Sequence, residues 1–168
     1  FALALLAGEA DAGKAPPWDT GKAPLWSSIE DDYTHYVDIS ADGQYVVATY
    51  YNISNGHFGI SLFDGSGNKI WKEPTERSLA SVAISADGEY IAIGATHYPA
   101  KVYLFDKDSS TPLWSYDTED NILAISISAN GDYIGLASSN EIYLFDLHYE
   151  TQNFPPFLAF LELSDEAF

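Results

Sequence analysis

The sequence contains no cysteine and no methionine, and only seven Lys or Arg among its 168 residues. The first absence removes disulfides, thiolate metal sites and cysteine nucleophiles together, and it leaves the redox compartment open. The second, in a chain that opens at Phe1, is expected of a processed product or of an excerpt from something longer. Set against 25 Asp and Glu, the scarcity of cations gives a net charge of −18. Nucleic acid and anionic lipid are poor partners for such a surface, because binding them relies on Lys and Arg displacing counterions. The charge suits an outside-facing protein or a cation binder, and a solvated acidic surface accounts for it equally well. The apolar run Phe1 to Ala7 is seven residues long, far short of the ~20 that cross a bilayer as a helix, so no membrane span is expected. Also missing are a Gly-x-Ser-x-Gly elbow, a phosphate-binding glycine loop and a His-Glu-x-x-His helix. No catalytic residue and no cofactor site is assigned, and an enzyme is not the expected reading.

Hydrophobic residues make up 46% of the chain and aromatics 15%, enough for one substantial core. Their arrangement repeats. Trp26, Trp71 and Trp114 are 45 and 43 residues apart, and the turns Ser40-Ala41-Asp42-Gly43, Ser85-Ala86-Asp87-Gly88 and Ser128-Ala129-Asn130-Gly131 keep the same two intervals. That period is the signature of a four-stranded propeller blade. The expected fold is all-β, with about three four-stranded antiparallel blades (36–73, 80–116 and 122–163) plus an extra N-terminal strand, not closed by one chain. Asp42-Gly43, Asp87-Gly88 and Asn130-Gly131 each sit between apolar runs and predict two-residue hairpins with type I′ turns, which need positive φ at both central positions. The strands are apolar on both faces, as sheets sandwiched between neighbouring sheets require. Trp26, Trp71, Trp114, Phe63, Phe105 and Phe145 form the expected repeat core.

Outside the blades, residues 1–24 divide into the apolar Phe1–Ala7 stretch and a Gly/Pro/Lys linker, and residues 164–168 form an acidic tail. The opening stretch is either the end of a secretory signal, with Ala10-Asp11-Ala12 as its cleavage site, or a strand with Phe1, Leu3 and Leu5 on one face, looking for a sheet edge. Leu25-Trp26-Ser27-Ser28 matches Ile70-Trp71-Lys72 and Leu113-Trp114-Ser115. It reads as the last strand of a blade whose other strands are not in this chain. In the third blade, Pro155 and Pro156 interrupt the place of the tryptophan strand, and the run from Phe157 through Phe160 to Leu163 is the better candidate for the final strand.

With Val82-Ala83-Ile84-Ser85-Ala86-Asp87-Gly88-Glu89-Tyr90-Ile91-Ala92 leading into Val102-Tyr103-Leu104-Phe105-Asp106 and Leu113-Trp114-Ser115, the chain resembles the WD40-like or quinoprotein-like propeller repeats of archaeal cell-surface and secreted proteins over residues 24–147. The resemblance implies an extracellular or cell-surface location and says nothing of activity, since such propellers serve as enzymes, scaffolds and assembly subunits alike. Members that bind pyrroloquinoline quinone carry a basic residue for the cofactor, a calcium-ligating carboxylate set and often a disulfide of adjacent cysteines. None can be matched here, and no cofactor is implied. The Gly-His and Trp-Asp dipeptides of regulatory WD40 blades are absent too.

Three blades leave exposed flanks, because closed propellers have four to eight. The expected partners are therefore other copies of the chain: a two-fold six-bladed ring, or head-to-tail assembly in which Leu25-Trp26 or Phe1–Ala7 completes a neighbour's sheet, a filament or surface layer resulting when the contact fails to close. The competing readings are a fragment of a longer propeller, a ligand-binding or quinoprotein-like enzyme fragment, and a soluble scaffold for protein partners. Asp64-Gly65-Ser66-Gly67-Asn68 begins like a calcium loop but lacks its later ligands and reads as a turn. Glu30-Asp31-Asp32 is a solvated charge cluster with at most weak cation binding. His57 and His97 fall in equivalent connections of adjacent blades but lack a third ligand, and His35 and His148 have no evident partner. Asn52-Ile53-Ser54 is a glycosylation sequon. Tyr50, Tyr51 and Tyr98 lie near one set of loops where sugars could stack, whereas Tyr45, Tyr90 and Tyr133 recur at one blade position and read as packing residues.

Overall fold

The computed structural model describes residues 23–28, 33–97, 99–148 and 157–162. Its strands are β1 (Tyr33–Ile39), β2 (Tyr45–Tyr51), β3 (Phe58–Asp64), β4 (Lys69–Thr75), β5 (Leu79–Ile84), β6 (Tyr90–Ala95), β7 (Ala100–Asp106), β8 (Trp114–Thr118), β9 (Ile122–Ile127), β10 (Tyr133–Ser138), β11 (Glu141–Asp146) and β12 (Phe157–Glu162). They form three four-stranded sheets, β1-β2-β3-β4, β5-β6-β7-β8 and β9-β10-β11-β12, every neighbouring pair antiparallel. The chain is thus an all-β array of three propeller blades that do not close on themselves. β12 does take the fourth place of blade 3, beginning immediately after the two prolines that cannot donate to a ladder.

The turns differ from expectation. Only the glycines take positive φ, at 71° for Gly43, 78° for Gly88 and 75° for Gly131. Each strand connection is a longer loop in which the glycine N–H closes onto the serine carbonyl three residues earlier (Gly43 to Ser40 at 3.0 Å, Gly88 to Ser85 at 2.9 Å). This is a type I turn ending in a left-handed glycine rather than a type I′ hairpin. Side chains decide it. The Ser40 hydroxyl donates to Asp42 Oδ1 at 2.7 Å and accepts from the Tyr45 N–H at 3.0 Å, while Asp42 Oδ1 also accepts from the Gln44 N–H at 2.9 Å. Ser85, Asp87, Glu89 and Tyr90 reproduce the set, and Ser128, Asn130, Asp132 and Tyr133 do so with an amide in place of the carboxylate.

The apolar interior lies between blades. Val47, Ile60 and Leu62 of blade 1 pack with Leu79, Ile84, Ile91, Ile93 and Phe105 of blade 2. Ala83, Ala92, Val102 and Leu104, from the opposite face of blade 2, pack with Ile122, Ile125, Ile134, Leu136, Tyr143 and Phe145 of blade 3. Each Val, Leu, Ile or Phe among them stabilises by about 1.5–3 kcal/mol when fully buried, so the two interfaces hold the array together. This is why the sequence shows no polar strand face.

Candidate docking surfaces on the outer blades

Three contacts recur at each interface, built from the same columns of the repeat. The first joins turns: the Ala41 N–H donates to the Ala86 carbonyl at 2.9 Å, and the Ala86 N–H to the Ala129 carbonyl at 3.1 Å. The second sets a tyrosine ring on the next blade's turn glycine. A methyl group added at Gly88 would collide with the Tyr45 ring, and one at Gly131 would lie 2.8 Å from Tyr90 Cδ2. Glycine is required there both by its positive φ and by the ring. The third is a tryptophan of one blade against a phenylalanine of the next: Trp71 on Phe105 with ring centroids 5.9 Å apart, and Trp114 on Phe145 at 5.5 Å. Trp71 also donates its indole N–H to the Lys107 carbonyl at 2.7 Å.

Leu25-Trp26-Ser27-Ser28, expected as a strand, lie in no ladder among the described residues. Leu25 is 97% exposed. Trp26 nevertheless lies against Phe63, ring centroids 5.8 Å apart, in the relation Trp71 has to Phe105. Gly67, at φ 85°, passes beneath it so closely that a methyl group would lie 2.7 Å from Trp26 Cδ2. Beside Trp26, the outer face of blade 1 is hollowed into a cavity of about 270 Å³ lined by Val37, Val46, Ala48, Tyr50, Ser61 and Phe63. Ala48 stands where blades 2 and 3 have Ile93 and Leu136, and Ser61 where they have Tyr103 and Tyr143. The buried Ser61 hydroxyl has no hydrogen-bond partner among the described residues. Val37 and Ile39 of this face are 66% and 57% exposed. At the other end of the array, blade 3 shows a shallow apolar depression lined by Ala124, Ser126, Gly135, Ala137 and Ile142. Tyr133, Ile142 and Leu144, equivalent to the interface residues Tyr90, Val102 and Leu104, are 41%, 44% and 39% exposed.

Of the other assembly residues, Phe1, Leu3 and Leu5 lie outside the described residues, as do Tyr98 and Glu30-Asp31-Asp32. Phe157 and Phe160 fall on β12, in register with Phe145 and Tyr143.

The remaining candidates are absorbed by local structure. Asp64 accepts from the Ser66 and Asn68 N–H groups at 2.9 and 2.8 Å and from the Asn68 amide at 2.8 Å, so its oxygens serve the turn, and the Asn68 bonds hold its carboxyl below the ordinary 3.8. Among the described residues no group of three His, Asp or Glu is placed to hold a metal. His57 is exposed in the β2–β3 loop, and His97 sits at φ 79° with its N–H 3.3 Å from Asn121 Oδ1. His148, expected to be solitary, reaches Asp132 Oδ1 through Nε2 at 2.6 Å, a pairing across 16 residues that has no sequence signal. Asn52 uses Oδ1 to accept from the Asn55 N–H at 3.1 Å within the same exposed loop. Tyr50, considered above for stacking on sugars, is buried with the Lys72 ammonium 3.9 Å over its ring, and Tyr51 packs on Phe58. Among the turn carboxylates, hydrogen bonds from Gln44 and Ser40 lower the Asp42 pKa, and those from Ser85 and Glu89 lower that of Asp87.

No family model matches the sequence, and no curated protein matches it. The fold does match solved structures. The β-propeller domain of Myceliophteria thermophila Cps50 (Swd1) superposes with a TM-score of 0.58 at 14% identity, over 74% of this chain and 39% of that one. A eukaryotic initiation factor gives 0.61 at 14% identity, over 78% and 32%. KlAtg21, in its complex with the coiled-coil of AgAtg16, gives 0.61 at 14% identity, over 77% and 42%. At that identity the likeness is one of fold alone, that of a β-propeller. This chain spans well under half the length of each.

Proposed function

We propose that the chain is a non-catalytic structural and interaction module, exported to the cell surface, that works by assembly: its open blade stack is completed by another copy. The observation that carries this reading is the state of the two outer faces. Val37 and Ile39 at one end and Tyr133, Ile142 and Leu144 at the other are exposed at positions whose equivalents in the inner interfaces pack against a neighbouring blade. Apolar surface that is contiguous and self-similar to a packed interface marks an interaction site. The −18 charge supports a soluble, outward-facing module, and export would offer Asn52 as a glycan acceptor. Sedimentation and electron microscopy of the purified chain test the reading: rings, filaments or layers are expected, and monodisperse particles of single-chain mass sink it. The AgAtg16 coiled-coil bound to KlAtg21 favours a second reading, a scaffold for a different protein, for which the same measurement shows a lone chain until that partner is added.

A further inference from the structure

Resting on the assembly reading, we infer that the joint between copies is head to tail and in the register of the internal interfaces: blade 3 of one copy packs on blade 1 of the next. All three recurring contacts then continue. Tyr133 covers Gly43, the turn glycine beside which an added methyl group would meet nothing within 4 Å. The Ala129 N–H donates to the Ala41 carbonyl, as Ala86 does to Ala129 and Ala41 to Ala86.

The third contact identifies the occupant. Leu62 is opposite Trp71 and Leu104 opposite Trp114 in their ladders, but Leu144 is opposite Ala159. Blade 3 therefore has no tryptophan for the next blade, and blade 1 already holds one, Trp26, on Phe63. A docking blade with its own tryptophan would contest that seat, whereas blade 3 of a second copy leaves it open. Every interface in the assembly then has one tryptophan: Trp71, Trp114 and Trp26. Because Trp71 and Trp114 belong to fourth strands paired with the leucine strand, residues 23–28 take the same place at the joint. They pair with β11 of the second copy, with Trp26 opposite Leu144, and displace β12 from that edge. Opposite side chains are also matched in size: where Gly94 makes room for Ile122, the joint brings Ala137 against Thr34, one position larger and the other smaller.

The cysteine-free sequence allows a direct test. Single variants Ala41→Cys and Ala129→Cys, both at exposed turn positions, are mixed and oxidised. A contact like Ala41–Ala86 brings the pair within the roughly 4.4–6.8 Å Cα separation that a disulfide spans. A disulfide between the two different variants, with none in either alone, is the expected result. Disulfide-linked homodimers of a single variant report a two-fold contact and overturn the joint. Assembly of the wild-type chain without the mixed disulfide also overturns the joint while leaving the assembly reading in place, whereas a wild-type chain that sediments singly sinks both. As a second arm, Gly43→Asn, whose side chain tolerates the left-handed region, should weaken association at least tenfold with little change in the melting temperature of the dilute chain. Association unchanged by Gly43→Asn overturns the register.

Discussion

At the scale of the residue, the serine and the Asp or Asn side chains of the three turns carry the most information. They convert a dipeptide associated with tight hairpins into a five-residue loop, and they make two of the three loops acid-sensitive. Asp42 and Asp87 have pKa values below the ordinary 3.8, so the stability they contribute is complete above that value and is lost as pH falls through the lower folded value. Asn130 performs the same role in blade 3 without titrating. The double variant Asp42→Asn/Asp87→Asn should accordingly be folded. Its melting temperature should approach that of the wild type as pH drops below about 4, a convergence that thermal melts across pH 2–6 would show. The turn glycines separate strain from collision. Gly43→Ala meets only the positive φ, a cost of about 1 kcal/mol, whereas Gly88→Ala also strikes the Tyr45 ring and should cost about 2–4 kcal/mol. Urea denaturation of the dilute chain is the measurement, and equal losses would contradict the ring contact.

At the scale of the element, a strand here owes its place to the blade beyond it as much as to its own ladder. Trp114 packs on Phe145 across an interface that the chain itself completes, and Trp114→Ala should destabilise by about 3 kcal/mol. Trp26 makes the same contact with Phe63 from a segment that has no ladder among the described residues. Trp26→Ala should leave the dilute chain's melting temperature within a few degrees of wild type while sharply reducing association in sedimentation. Sequence alone exposed this much of the fold because repetition is a property of columns: the tryptophan, turn and tyrosine positions recur at 45 and 43 residues, and their common role follows from their common spacing. It did not reveal the type I turns, which depend on hydrogen bonds from side chains that also favour other turns. It was equally silent on the cavity beside Trp26, since Ser61 and Ala48 are unremarkable until their columns are compared with Tyr103, Tyr143, Ile93 and Leu136. The His148–Asp132 pair depends on two loops meeting, and no local pattern announces that.

At the scale of the whole molecule, charge and apolar surface oppose each other. Every copy carries −18, so bringing two together costs electrostatic work, while the proposed joint would be made by Val37, Ile39, Ile142, Leu144 and aromatic rings. Salt screens the first effect and leaves the second. Association should therefore strengthen as ionic strength rises, and weakening with salt in a sedimentation series would point to ion pairs at the joint instead. There is a further consequence of the apolar clusters lying between sheets. The interior of this protein belongs to pairs of blades and to none of them singly, so the molecule behaves as a short one-dimensional lattice whose cohesion resides in its couplings. Amide exchange in the lone chain should be slowest in β6 and β7, which have a coupled neighbour on both sides, and faster in β2 and β10. On assembly that gradient should flatten, because the distinction between end and middle disappears once the lattice is extended.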